Sequence, residues 1–303
     1  MARNDRKVEM SNFFDGKKIR DEILVQLSAK VAKMERKPTL AVFLIGGDPV
    51  SAKYDDIKKK FTEKIGAHFA LYKFDEKDSE SEIGKAIEFL NNDAETDGIM
   101  IQIPIPKKFD RNKLIGKISP AKDVDGLRFC AGLESKFKPP VVLSILEAIR
   151  RSGMIDCRAL EHPMARNDKG LKVALIGHGF LVGAPLARAL SELEDRSSKI
   201  GELKIFNRTP NSELLNSDVV ISATGKSGLI KPEMVKDGVV LIDAGTAEEN
   251  GELRGDIDPE CYDKASYYTP VPGGIGPVTV AMLLQNLVGS PDFNDEIRIS
   301  NVK

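Results

Sequence analysis

Tyr54 and Lys58 stand four residues apart in a segment with helical patterning, so both side chains leave one face. A lysine desolvated on such a face can lose its proton near neutrality and act as a proton shuttle. The plainer reading is a solvated charge run, because Lys59 and Lys60 follow directly. Gln102 lies in the apolar run Gly98–Ile103, where an amide needs either a buried partner or a task. Asp125, in Asp123-Val124-Asp125-Gly126, can offer a carboxylate to a donor-rich ring or simply close an Asp-Gly turn. The spaced oxygen ligands and closing Glu of an EF-hand are missing, and no metal site is expected. The stretch Thr269–Pro277 (TPVPGGIGP) is a rigid loop that brings bare backbone at Pro270, Val271, Gly273 and Gly274 close to a ligand.

A second constellation is Gly177-His178-Gly179-Phe180-Leu181-Val182-Gly183, directly after the apolar run LKVALI. Glycines between a strand and a helix let backbone approach a pyrophosphate, whose charge the helix N-terminal amides then hold. A tight strand-to-helix turn without a ligand is the competing reading. The next strand ends in Asn207-Arg208-Thr209. An acid there accepts from the adenosine ribose, whereas an Arg with small polar neighbours suits a 2′-phosphate, which favours NADP over NAD. A solvated loop arginine is the alternative.

The elements that must position these residues read as alternating β and α. A helix is predicted over 17–36 and strands over 39–45, near 68–74 and over 98–103. Helices fall between, near 51–66 and 81–92. Residues 107–140 are richer in Lys, Asp, Gly and Pro and read as a connecting segment, followed by an apolar helix near 142–151. A second set places strands at 171–176, 202–206, 218–222 and 239–243. The last helix, near 277–288, is apolar nearly all round and should be buried. The fold class is therefore two-domain α/β with parallel sheets, the second domain of Rossmann type. The boundary falls near 140–150.

Length and composition agree. The chain has 303 residues, 41% of them hydrophobic and 30% charged, with 45 Lys and Arg against 46 Asp and Glu. A net charge of -1 gives no global field for a polyanion, so no nucleic-acid partner is expected. Cys130, Cys157 and Cys261 fit neither a disulfide framework nor a CxxC site, and His68, His162 and His178 form no HExxH frame. No leader-like apolar stretch opens the sequence and no run reaches a membrane-spanning length, which points to a cytoplasmic setting without a membrane partner.

Together these segments resemble the bifunctional methylenetetrahydrofolate dehydrogenase/methenyltetrahydrofolate cyclohydrolase family. The resemblance is carried by Tyr54-x-x-x-Lys58, Asp97–Pro106 (DGIMIQIPIP), Lys122–Gly126 (KDVDG) and Thr269–Thr279 (TPVPGGIGPVT), in that order. It implies that Lys58 is the catalytic lysine, that Gln102 tunes it, that Tyr54 stacks on the folate ring and that Asp125 anchors the pterin. A lysine near a developing cation helps when neutral, so a neutral amide partner suits it better than a carboxylate. The resemblance also implies a homodimer acting on tetrahydrofolate derivatives in one-carbon metabolism, a route toward purine biosynthesis. It further implies cofactor contacts from Gly177, His178, Gly179, Val182, Gly183, Asn207, Arg208, Thr209, Thr224, Gly225 and Thr246. Because the TPVPGGIGPVT loop belongs with the folate site, residues 277–303 should return to the catalytic domain of residues 1–145. The cofactor domain is then 146–276, and the active site is expected in the interdomain cleft between the two.

Departures from the family pattern fall on the cofactor side. The usual Gly-Arg-Ser-x-x-Val-Gly is Gly177–Gly183 (GHGFLVG) here, and the usual Asp-Val-Gly-Ile-Asn is Asp243–Ala247 (DAGTA). Pro139-Pro140-Val141-Val142 lacks the usual Thr and following Gly. Gly179 and Arg208 are expected to take over phosphate binding. Three other readings remain: a cyclohydrolase with weakened dehydrogenase activity, a silent folate-binding protein, and a shikimate-type dehydrogenase, whose substrate loop is not found.

Overall fold

The computed structural model describes residues 12–46, 49–154, 170–197, 200–207, 213–249 and 251–289. Cys157, His162, Arg208 and Thr209 lie outside them, as does the side chain of Tyr54, whose backbone is helical. Two parallel sheets carry the chain. In the first, β1 (Thr39–Ile45) is flanked by β2 (His68–Phe74) and β3 (Gly98–Ile101), in the order β2-β1-β3. In the second, β4 (Leu171–Ile176), β5 (Ile200–Phe206), β6 (Val219–Ser222), β7 (Val239–Asp243) and β10 (Ala265–Tyr268) run in the order β10-β7-β6-β4-β5. A small antiparallel hairpin, β8 (Ala247–Glu249) and β9 (Glu252–Arg254), projects between β7 and β10. Strands β3, β6 and β7 are buried at every position, which is why they read as largely apolar runs.

The helices are α1 (Gly16–Ala32), α2 (Pro49–Lys64), α3 (Glu80–Asn92), α4 (Arg111–Lys117), α5 (Leu127–Cys130), α6 (Pro140–Arg151), α7 (Gly183–Ser197) and α8 (Ile275–Val288). Asp15 caps α1 by accepting from the Lys18 amide, and Ser79 and Glu82 close a capping box on α3. α8 joins the two halves. Its Val278 and Met282 pack with α6 and the second sheet, while Leu283, Leu284 and Leu287 pack with α1 and with Leu40 and Val42 of β1.

Several expectations shift. α1 ends at Ala32, short of residue 36, its carbonyls met by the Lys33 and Met34 amides and by Lys37 Nζ. β3 ends at Ile101 instead of Ile103; the Gln102 amide still donates to the Phe43 carbonyl, but Pro104 has no N–H to continue the ladder. The segment 107–140 contains α4 and α5, both shorter than the window in which helical periodicity shows. β10 was also missed. It pairs with β7 and, at Tyr268, forms a bridge with Phe13.

Candidate active site

In an open parallel sheet, ligands bind beyond the carboxyl ends of the strands, where the strand order reverses. The first sheet reverses at β1, with β2 on one side and β3 on the other, so its crevice lies beyond Ile45 and Ile101. Lys58 of α2 and Gln102 meet there, Lys58 Nζ donating to Gln102 Oε1. Gln102 Nε2 donates to the Ile103 carbonyl at 3.1 Å, which fixes the amide with its oxygen toward the lysine. Thr62 Oγ1 donates to the Lys58 carbonyl at 2.8 Å. Lys59 and Lys60 are exposed, whereas the Lys58 side chain is only 13% exposed, so the charge run divides into one inward and two outward lysines. A carboxylate also reaches Lys58: Asp55 Oδ1 lies 3.3 Å from Nζ. The expectation of a purely neutral partner is corrected, because residues 55 and 58 share a helix face at i, i+3.

Asp125 is supplied by the loop after β3. The Ile99 amide donates to the Lys122 carbonyl at 2.7 Å, and Lys122 Nζ donates to the carbonyls of Leu90 and Asp93. Asp123 is the structural acid of this block. Its buried carboxylate accepts from the Leu127 and Arg128 amides and from Ser135 Oγ. Gly126 turns the chain at φ 65°, and a Cβ there would lie 2.5 Å from the Pro139 nitrogen. Asp125 is thereby left to face the site. Burial pushes its carboxyl up to about 7, against the charge of Lys58 and with that of Asp123.

Sequence reasoning missed what holds this loop. Buried Asn286 of α8 donates through Nδ2 to the carbonyls of Val124 and Lys138, at 2.8 and 3.1 Å. A polar residue inside the apolar run of α8 was the available signal. Asn286→Leu leaves both carbonyls unpaired and is expected to cost about 1–3 kcal/mol, together with a several-fold rise in folate KM through displacement of Asp125. Urea unfolding and initial-rate kinetics check this; parental stability with unchanged KM would show that the loop holds itself. In the DGIMIQ block, Asp97 ties strand ends, accepting from Arg36 and from the Thr39 amide. Gly98 leaves room for Leu287 and Val124.

The 269–274 loop is fastened at both ends. Thr269 Oγ1 accepts from the Asp243 amide at 2.7 Å, and the Gly274 amide donates to the Pro270 carbonyl at 2.7 Å. The Gly16 amide donates to the Gly273 carbonyl at 2.9 Å, and a Cβ on Gly16 would fall 1.8 Å from the Gly274 carbonyl oxygen. Pro270, Val271 and Gly273 are half-buried and Gly274 is buried, in a seam shared by α1, β7 and α8.

The second sheet reverses at β4, between β5 and β6, and the glycine turn sits there. Gly177 has φ 95°, its amide donates to the Phe206 carbonyl, and a Cβ would meet the Ala223 carbonyl oxygen at 2.6 Å. Gly183 allows α7 to start against β4, since its Cβ would lie 2.2 Å from the Gly177 carbonyl oxygen. Around Gly179 there is open space, His178 is exposed and Val182 is half-buried. Asn207 is exposed at the end of β5, Gly225 turns at φ 69°, and Thr246 is exposed beyond β7. Thr224 is already engaged: its amide and hydroxyl both donate to Asp256 Oδ2, at 2.6 and 2.9 Å. Asp256 also accepts from Ser222 Oγ and the Lys226 amide, holding the loop after β6. Asp243 accepts from the Gly245 and Ile257 amides, and burial beside Asp256 pushes it up to about 7. A glycine cradle at the switch point and open space at Gly179, where α7 begins, fit a dinucleotide.

The two crevices are joined by Arg111 of α4, whose guanidinium stacks 3.7 Å from the centre of the Phe180 ring in the glycine turn. Beside it, residues 103–107 and 109–112 line a cleft of about 350 Å³.

Comparison with known proteins agrees with this geometry. Residues 14–125 match the tetrahydrofolate dehydrogenase/cyclohydrolase catalytic domain, and residues 157–294 match the NAD(P)-binding domain of the same family. The bifunctional protein FolD of Aquifex aeolicus is 37% identical over 292 residues, covering 93% of this chain and 95% of the relative. That of Macrococcus caseolyticus is 36% identical over 282 residues, covering 90% and 94%. Among solved structures, the bifunctional FolD enzyme of Campylobacter jejuni superposes with a TM-score of 0.80 at 31% identity, covering 92% of this chain and 98% of its own. A Trypanosoma brucei FolD structure, complexed with NADP cofactor and inhibitor, gives 0.77 at 26%, covering 95% and 97%. With both of its domains matched and relatives above one-third identity along nearly its whole length, the chain belongs to the tetrahydrofolate dehydrogenase/cyclohydrolase family.

Proposed function

We propose that this chain oxidises 5,10-methylenetetrahydrofolate in an NADP-dependent step and hydrolyses the 5,10-methenyltetrahydrofolate formed to 10-formyltetrahydrofolate. The observation that carries this reading is the inward Lys58, held by Gln102 and electrostatically coupled to Asp125, at the crevice beside a glycine turn fit for a dinucleotide. NADP, when bound, supplies the hydride acceptor. Gly177, Gly179 and Gly183 would bring backbone to its phosphates, with Asn207, Arg208 and Thr209 toward the adenosine ribose. Asp125 accepts from the pterin's N–H donors and orients the ring, and Tyr54, one turn before Lys58, offers it an aromatic face. Lys58 takes a proton from the water that attacks the methenyl carbon, and Gln102 aims the lysine without adding charge to a site that must hold a cationic substrate.

Dehydrogenase and cyclohydrolase assays on one preparation, each titrated with NADP and with NAD, test the reading. Both activities are expected, with the lower KM for NADP. Loss of cyclohydrolase activity with the dehydrogenase intact would sink it. The family match leaves no support for a shikimate-type dehydrogenase.

The same reading extends to a cytoplasmic homodimer that supplies one-carbon units toward purine biosynthesis, with a catalytic unit of 1–145 completed by 277–303 and a cofactor unit of 146–276. The described residues contain no helix long and apolar enough to cross a membrane and no cluster able to hold a metal ion. Near-zero net charge argues against a nucleic-acid partner. A monomer by light scattering at assay concentration would remove the dimer.

A further inference from the structure

We infer that Arg111 of α4 is a cofactor-binding residue, its guanidinium pairing with the pyrophosphate of the bound dinucleotide across the seam between the two sheets. The inference rests on the reading of the Gly177–Gly183 turn as the cofactor site. The guanidinium carbon lies 3.7 Å from the centre of the Phe180 ring, and Phe180 follows Gly179, where a Cβ would meet no protein atom within 4 Å. Phe180 itself packs on the core cluster that contains Phe109, Leu114 and Leu127, so the turn and the start of α4 are held side by side. Arg111 also lines the cleft of residues 103–107 and 109–112. A cation is thus fixed beside the open space of the turn.

What marks Arg111 is that its charge is uncompensated. Two other arginines among the described residues stack on aromatic rings, and each also has a carboxylate. Arg20, over Phe61, pairs with Asp21 at 2.9 Å, and Arg188, over Phe129, pairs with Glu192 at 3.4 Å. Arg111 has no such partner among the described residues: its Nε donates to Asn112 Oδ1 at 3.4 Å, and its terminal nitrogens make no hydrogen bond there. The acids around the start of α4 are engaged elsewhere. Asp110 Oδ1 accepts from the Lys113 amide, and Glu80 accepts from the Asp110 amide and pairs with Lys113 Nζ. A half-buried guanidinium that gives up hydration without an anion beside it is suited to receive one. Stacking holds its plane, so its N–H fork is set for two phosphate oxygens before the ligand arrives. The turn, for its part, contains no Lys or Arg, and its backbone brings dipoles to a phosphate but no full positive charge. The pyrophosphate is the group concerned, because it sits at the first strand-to-helix turn, whereas the adenosine 2′-phosphate belongs beyond β5. A dinucleotide held by both Arg111 and the turn fastens the two crevices together.

Arg111→Met keeps an unbranched chain that can still pack on Phe180 but carries no charge, and Arg111→Lys keeps the charge without the planar fork. Isothermal titration with NADP and with NAD, at low and at high salt, reads binding without turnover. Far-UV circular dichroism and thermal unfolding check that each variant folds as the parent does. At low salt Arg111→Met is expected to bind both dinucleotides about tenfold more weakly, with the preference between them kept. The gap should shrink at high salt, where ions screen the pair in the parent. Arg111→Lys should fall between. Parental affinity in Arg111→Met overturns the proposal, as do equal losses in both variants at both salt concentrations, which would mark a packing role. A loss confined to NADP overturns it as well, because the guanidinium would then serve the 2′-phosphate. Failure of the underlying reading is distinguishable, since Gly183→Ala would then keep parental NADP affinity.

Discussion

Lys58→Met is expected to lower cyclohydrolase turnover by about a thousandfold, within the range that a positioned acid–base group contributes. Methionine keeps the unbranched length of the lysine and its helix propensity, so α2 should persist. The change removes the cation that contacts Asp55 and leaves Gln102 Oε1 without its donor. Breaking a buried ion pair costs up to about 3–5 kcal/mol when the remaining charge has nowhere to go, but Asp55 can take up a proton instead. Its folded-state pKa already lies above the unfolded value, so the protonated form is the one that folding favours. Stability contributed by this group is therefore greatest below the unfolded carboxylate range and falls as pH rises toward the folded value. The variant's deficit in urea should be larger at pH 8 than at pH 5. Methenyl hydrolysis kinetics beside those two unfolding curves check both statements. A folded variant with parental hydrolysis would remove Lys58 from the chemistry.

The second large effect is expected at the glycine turn. In Gly183→Ala the new methyl would lie 2.2 Å from the Gly177 carbonyl oxygen, 2.7 Å from its carbon and 2.8 Å from the His178 Cα. All three are backbone atoms, so no side chain can swing aside and the start of α7 must withdraw from the end of β4. Displacing the backbone proposed to meet the phosphates by even about 1 Å is expected to cost about a hundredfold in kcat/KM for NADP. Cyclohydrolase activity, which depends on the other crevice, should stay within about threefold of the parent. Gly179→Ala separates sterics from binding, because its methyl meets no protein atom within 4 Å. It should leave thermal unfolding unchanged while weakening NADP. Isothermal titration of both variants decides, and parental NADP affinity in Gly183→Ala would mean that the turn is not the cofactor site.

How much of this was legible depends on how each signal is written. Buried parallel strands such as Thr39–Ile45 and Val239–Asp243 announce themselves as apolar runs, and Gly177–Gly183 as a turn between two of the elements those runs predict. Lys58 and Gln102 could each be singled out from the residues, but only the family resemblance paired them, because 44 residues and a whole βα unit separate them. Asp55 was hidden among the charges of a helix whose average character is polar; only its contact with Lys58 marks it. α4 and α5 span seven and four residues, too few to display a period. The Asp243–Asp256 cluster was unreadable for another reason. Its members come from a strand end and a distant loop, and its purpose is to hold backbone amides, which leave no trace in side-chain pattern.

The way α8 straddles both cores governs how the molecule can come into being. Lys30 at the end of α1 donates to the Gly289 carbonyl just past α8 across 259 residues of sequence, one of many contacts that close the chain late. Until α8 has been made, Leu40, Val42 and Met100 lack the cover of Leu283, Leu284 and Leu287, and the loop bearing Asp125 lacks Asn286. During synthesis the first half is thus a sheet whose greasy side is only part covered, by α1, a species prone to sticking to others of its kind. A chain cut before residue 275 should consequently lose folate chemistry as completely as cofactor chemistry, although every acid–base residue would still be present in it.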